Sequence, residues 1–170
     1  FSGCANAGAL SVGGTPFGNY WLFDYTHFDN SLYGLSFANG DYGLAGLNQI
    51  WTQGNRIAGV SVDNAVAVIA NCVANRNARG WQALNGGSLT VTTCTADGNA
   101  VAAFAESSST LTLNQDQLTN SSSFDLSCLS GATCNVNGGN FNQWVTLSQN
   151  ADLTFRHNLD LRIVDAAGSP

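Results

Sequence analysis

An asparagine returns along this chain at a nearly constant interval. It stands at 30, 55, 77, 99, 120, 140 and 158, so successive copies lie 25, 22, 22, 21, 20 and 18 residues apart. Each opens a similar phrase: "NSLYGLSF" (30–37), "NRIAGVSV" (55–62), "NARGWQAL" (77–84), "NAVAAFAE" (99–106), "NSSSFDL" (120–126), "NFNQWVTL" (140–147) and "NLDLRIV" (158–164). After three or four residues a large apolar side chain begins an alternation of apolar and polar positions. A period of this length restricts the fold to a stack of like units, because each unit buries its apolar face only against its neighbours.

A second phrase keeps the same beat. Leu89 and Val91 in "SLTVTTC" match Leu111 and Leu113 in "TLTLNQD" 22 residues on, Cys134 and Val136 in "TCNVNGG" after 23 more, and Leu153 and Phe155 in "DLTFRHN" after another 19. "VAVIANC" at 66–72 is a weaker first copy. Each repeat therefore holds two or three short period-2 strands separated by Gly, Asn and Ser turns. Composition agrees: only 9% of residues are charged and Lys is absent, whereas helices favour Ala, Leu, Glu and Lys.

Repeats of roughly 20–22 residues with several strands each fit one coil of a parallel β-helix. The consensus of a leucine-rich repeat is missing. Connections between stacked parallel strands are overwhelmingly right-handed. The expected fold is all-β, a right-handed parallel β-helix of about seven coils over 30–164. With coils about 4.8 Å apart, seven make a rod of roughly 30 Å. Residues 1–29 are expected to form an irregular aromatic-rich N-terminal cap, and 165–170 a C-terminal tail.

Stacking assigns roles to two columns. Asn30, Asn55, Asn77, Asn99, Asn120 and Asn140 are expected at one corner, where each amide passes hydrogen bonds to the next coil. Leu35, Val60, Trp81, Phe104, Phe124 and Trp144 are expected to pile into one interior column. The segment "FGNYWLFDYTHF" (17–28) breaks the beat with six aromatics. An open β-helix end exposes unpaired backbone, so a cap is the expected role. Carbohydrate stacking or subunit contact is the functional alternative, because Trp and Tyr join an apolar face to a polar tip. Trp21, Tyr25 and the later Trp51 are the candidate glycan-binding residues.

Several classes are excluded. Net charge is −6, and five scattered Arg residues cannot form a nucleic-acid surface. No apolar run approaches the roughly 20 residues that span a bilayer as a helix. The chain opens on Phe1 without an initiator Met, and is expected to be a processed or excised piece of a longer polypeptide. Its five Cys (4, 72, 94, 128, 134) form no CxxC and have no His beside them, so no zinc site and no cofactor is expected. Cys72 and Cys94 end similar strands as buried thiols. Cys128 and Cys134 flank "LSGAT" and could bridge in an oxidising compartment.

The coils "N-x-x-x-G-φ-x-φ", with a Ser/Thr/Asn/Gly-rich and Lys-free composition, resemble the parallel β-helix repeats of the pectate-lyase-like superfamily. Within it, residues 30–164 look most like bacteriophage tailspikes and related tail fibres. That resemblance implies a virion or extracellular location, a side-by-side homotrimer, other virion proteins as partners, and attachment to host surface polysaccharide, often with cleavage. The thinness of a single rod and the apolar outward candidates Trp51, Ile57 and Val101 also favour trimerisation.

The chemistry for cleavage is poorly supplied. Glycoside hydrolysis needs two carboxylates roughly 5–10 Å apart facing one sugar. Glu106 and Asp125 are the weak catalytic candidates, but they stand two and one places past Phe104 and Phe124, on opposite sides of their strands. Glu106 shares the phase of Val62, Ala83 and Leu126. Turned inward it would be a desolvated acid; the preferred reading puts it at a wet corner before Ser107–Ser109. Asp97 and Asp116 also miss each other by phase. Lyase chemistry would need calcium with an Arg base, yet no Asp cluster aligns, and Arg76 and Arg79 fall in a turn. Arg156-His157 reads as an exposed turn pair and His27 as a cap residue. The leading expectation is a non-enzymatic attachment fragment; a polysaccharide-degrading enzyme with an intersubunit site and a structural virion protein are the alternatives.

Overall fold

The structure is a computed structural model that describes residues 7–14, 26–141, 145–148 and 150–156. Sixteen strands occur among them and no helix: β1 (Ala7–Gly14), β2 (His27–Asp29), β3 (Tyr33–Asn48), β4 (Trp51–Gln53), β5 (Ala58–Asp63), β6 (Val66–Ala70), β7 (Val73–Asn75), β8 (Arg79–Leu84), β9 (Ser88–Thr92), β10 (Thr95–Asp97), β11 (Val101–Ala105), β12 (Thr110–Thr119), β13 (Phe124–Cys128), β14 (Thr133–Phe141), β15 (Val145–Leu147) and β16 (Asp152–Arg156). Every pairing is parallel and joins a strand to its equivalent one coil away. The chain is a parallel β-solenoid of about six turns.

Three ladders run the length of the stack. The first joins β1, the start of β3, β5, β8, β11, β13 and β15. The second joins the end of β3, β6, β9, the start of β12, β14 and β16. The third is short-stranded: β2, β4, β7, β10 and the end of β12. Rungs thus begin before residue 30, since β1 pairs with β3 and β2 with β4.

Three kinds of corner give each coil its turns. Residues in the left-handed region recur at equivalent places: Asn30, Gly54, Arg76, Gly98 and Asn120 at one corner, with φ of 55°, 65°, 52°, 63° and 52°, and Gln49, Asn71, Thr93, Gln115 and Gly138 at another. A left-handed residue bends the chain from one ladder into the next within one position. Gly adopts it freely and Asn more readily than most L residues, which accounts for the Asn/Gly-rich turns.

The asparagine ladder lies one residue past the first of these corners. Asn55 N and Nδ2 both donate to Asn77 Oδ1 at 2.9 Å, and Asn77 N and Nδ2 donate to Asn99 Oδ1 at 2.9 and 3.2 Å. Asn99 Nδ2 closes on Ala74 O at 2.9 Å. All three are buried, so the amides pair the corner backbone where water cannot. Asn30 and Asn120 do not belong to this column. They occupy the exposed left-handed corner itself, and Ser31 and Ser121 take the ladder positions, with Ser31 N donating to Asn55 Oδ1 at 3.0 Å. Asn140 is displaced further: it pairs with Gln117 on the third ladder and is exposed.

The interior column also departs from the aromatic reading. Its buried members are Leu35, Val60, Trp81, Ala103 and Leu126, and Val145 continues the register at the last coil but is 37% exposed. Phe104 pairs with Gln82, one place past Ala103, so its ring lies outside the interior cluster, where Arg79 stacks on it and it is only 6% exposed. The small Ala103 lies directly over Trp81, the largest fully buried side chain, so the two share the volume of adjacent layers. Phe124 is 36% exposed and pairs with Val101. A bulge pushes it out: Ser123 N and Phe124 N both donate to Ala100 O, at 2.9 and 3.3 Å, inserting one residue between the ladder corner and the strand. Trp144 lies outside the described residues.

Candidate functional site

The described acidic residues do not converge. Ala105, not Glu106, pairs with Ala83 and Cys128 in the interior column. Glu106 follows it at a half-exposed corner, its N–H donating to Ala83 O. Asp125 is fully buried near the other end of its strand, beside the asparagine corner, and accepts from Ser121 Oγ at 2.7 Å. Glu106 and Asp125 therefore form no pair across one groove.

Asp116 is the second buried carboxylate. It occupies the corner column of Ile50, Cys72 and Cys94, where Oδ1 accepts Cys94 N at 2.7 Å and Oδ2 accepts Asn114 N at 2.8 Å. Burial pushes its pKa up from 3.8 to about 6, against the lowering effect of those two amides. One coil below, Cys72 N donates to Cys94 Sγ at 3.1 Å, so thiol and carboxylate serve the same backbone function.

The four described cysteines are buried free thiols. The Cys94 thiol is held well above the usual range by its hydrogen bond to Cys72 and by burial, and Cys134 likewise by Cys128 and burial. Both stay protonated, which suits packing rather than nucleophilic or metal-binding work. Among the described residues no group of three His, Cys, Asp or Glu could hold a metal ion.

Two outer faces differ in chemistry. The second ladder presents Ser88, Thr90 and Thr92, then Thr110, Thr112 and Asn114, then Thr133, Asn135 and Asn137 in register. Asn137 Nδ2 donates to Asn114 Oδ1 at 2.7 Å and Asn114 Nδ2 to Thr92 Oγ1 at 3.2 Å, so this face satisfies much of its own polarity.

The third ladder carries an aromatic platform. His27 and Trp51 are register partners with ring centroids 5.5 Å apart and planes at 28°, and Trp51 is 39% exposed. Two residues along the same outer side stand Asp29, Gln53, Asn75, Asp97 and Thr119, one per coil. Asp97 Oδ1 accepts from Thr119 Oγ1 at 2.8 Å and Asn120 Nδ2 at 2.7 Å, whereas Asp29 Oδ1 and Asn75 Oδ1, both buried, accept nothing among the described residues. His27 is therefore a strand residue beside Trp51, not part of a cap. Trp21 and Tyr25 lie outside the described residues.

The first ladder holds a cluster that sequence reasoning missed. Arg79 opens β8 and is not in a turn; Arg76 is the turn residue. The Arg79 guanidinium carbon lies 3.7 Å from the Phe104 ring centroid, and Nη1 donates to Gln82 Oε1 at 2.6 Å. Gln82 Nε2 in turn donates to Ser61 Oγ at 2.9 Å. Locating this cluster from sequence requires knowing that Phe104 faces outward, and the alternation pointed the other way.

In comparison with known proteins, the chain matches no family model, no curated protein and no solved structure. The fold defines the class: a parallel β-solenoid.

Proposed function

We propose that this chain is a non-enzymatic attachment module that binds carbohydrate along the outer side of its third ladder. The observation that carries the reading is the exposed Trp51, stacked on His27, with a file of amide, carboxylate and hydroxyl groups beside it. A sugar ring offers C–H groups to an aromatic face and hydroxyls to flanking polar side chains, and this surface supplies both. The dispersal of Glu106, Asp116 and Asp125 favours attachment over hydrolysis. In the finer form of the proposal, the module works as a homotrimer on a phage tailspike or tail fibre, outside the cell, against host surface polysaccharide.

The test is titration of neutral polysaccharides, followed by tryptophan fluorescence, with reducing ends assayed in the same samples and solution mass measured by light scattering. Trp51→Ala is expected to weaken binding about fivefold, the loss of one stacking contact of roughly 1 kcal/mol. Unchanged affinity in that variant overturns the site, release of reducing ends overturns the non-enzymatic reading, and a monomeric mass at micromolar concentration overturns the trimer.

A further inference from the structure

We infer that the Arg79 guanidinium is a receptor for one carboxylate group of an acidic sugar. This rests on the carbohydrate-attachment reading and specifies the ligand class, at a second place on the solenoid.

Four observations carry it. First, the guanidinium is fixed on two sides, stacked over Phe104 at 3.7 Å and bonded through Nη1 to Gln82 at 2.6 Å. Gln82 is itself fully buried and anchored on Ser61 Oγ at 2.9 Å. An Arg on an exposed strand ordinarily samples many rotamers, and this one has already lost that freedom.

Second, among the described residues only one of its five N–H donors has an acceptor, and no described carboxylate pairs with it. Glu106 stands at the corner beyond Phe104, past the end of β11. Third, Arg79 is half-exposed while Gln82 and Phe104 beneath it are buried, so Arg79 is the part of the cluster a ligand can reach. A planar carboxylate matches the edge of a guanidinium with two parallel hydrogen bonds.

Fourth, the same outward column continues from Arg79 through Val101 to Phe124, which is 36% exposed. Two coils amount to roughly 10 Å, so an apolar surface for a sugar's C–H face lies beside the cation. A chain of net charge −6 gives a polyanion no long-range attraction. Selectivity must therefore come from this short-range fork.

The experiment is titration with methyl glucuronide and methyl glucoside, with acetate and inorganic phosphate as simple anions. Heat and the Arg side-chain Nε–Hε resonances in NMR report binding. Wild type is expected to bind the glucuronide at least tenfold more tightly than the glucoside. Arg79→Lys keeps the charge but loses the fork, and is expected to remove that preference with an unchanged melting temperature. Trp51→Ala is expected to keep it. Equal affinity for the two glycosides, an Arg79→Lys variant that retains the preference, or tighter binding of phosphate than of the glucuronide overturns the assignment. If acetate shifts the Arg79 resonance while neither glycoside binds, Arg79 stands as a carboxylate receptor and the carbohydrate reading fails.

Discussion

Asp116 makes the stability of this solenoid depend on pH in a direction opposite to that of most carboxylates. Its side chain is fully buried and its two oxygens take the Cys94 and Asn114 amides at 2.7 and 2.8 Å, yet desolvation dominates and raises its pKa from 3.8 to about 6. A group whose folded pKa lies above its unfolded value binds its proton more tightly in the native state. Its contribution is fully present below about pH 4, is lost as pH rises to about 6, and is flat beyond. A shift of about two units corresponds to roughly 3 kcal/mol. The assay is urea denaturation of wild type and Asp116→Asn at several pH values between 3.5 and 7.5. The variant cannot ionise, so the stability difference between the proteins isolates this group from general charge repulsion. Wild type should lose about 3 kcal/mol relative to the variant across that range. Asn keeps one acceptor but turns its amide NH2 toward a backbone donor, which offsets its level by about 1–3 kcal/mol without changing the slope. A pH-independent difference, or one that moves in wild type's favour as pH rises, refutes the reasoning.

Three further outcomes follow from the corners. Thr93 holds φ of 54° although β-branched, in the column that uses Asn71 one coil earlier; Thr93→Asn should raise stability by about 1 kcal/mol, read as a higher urea midpoint. A Cβ on Gly80 would press on the Ala102 carbonyl and approach Asn99 Nδ2 at 3.3 Å, so Gly80→Ala should cost about 2–3 kcal/mol by the same measurement. Ser121 replaces the ladder Asn while Asp125 fills the column of Gly34, Gly59, Gly80 and Ala102, and the two bond at 2.7 Å; Ser121→Asn and Asp125→Gly should each destabilise alone and recover at least 1 kcal/mol together in a double-mutant cycle.

The period of this fold was legible because stacking repeats a chemical need at each corner. The 22-residue spacing of Asn55, Asn77 and Asn99 is the spacing of a hydrogen-bonded ladder. The phase was harder to read, because two corner functions use the same residue type. Asn serves both the buried ladder and the left-handed turn one place earlier, so Asn30 and Asn120 looked equivalent to Asn77 while sitting a residue away. Counting from the wrong Asn, and preferring a large side chain to Ala103 or Leu126, sent Phe104 and Phe124 inward on paper. The bulge at Ser123 has no strong sequence signal; its Ser-rich turn fits either register. Trp51 was visible as a lone aromatic, but the polar file beside it appears only when coils 22 residues apart are laid in register.

The placement of the acids bears most directly on function. Asp116 supports two amides, Asp125 replaces the amide that Ser121 lacks, Asp97 ties Thr119 and Asn120 to its coil, and Asp63 accepts from Asn85 at 2.8 Å. Each of these carboxylates carries a bond that the stack needs, and a group so engaged is a poor proton donor to a ligand. The aromatic and cationic groups are placed otherwise: Trp51 stacks yet stays exposed, and Arg79 is fixed with one of its donors on an acceptor among the described residues. A chain that commits Asp63, Asp97, Asp116 and Asp125 to structural bonds, with Trp51 exposed and Arg79 half-exposed, is consistent with the proposed attachment role. Among the described residues of one chain the acids form no facing pair, so carboxylates brought together across two chains are the arrangement that hydrolysis by these residues would use. Solution mass and the reducing-end assay therefore test the proposed attachment reading from two sides.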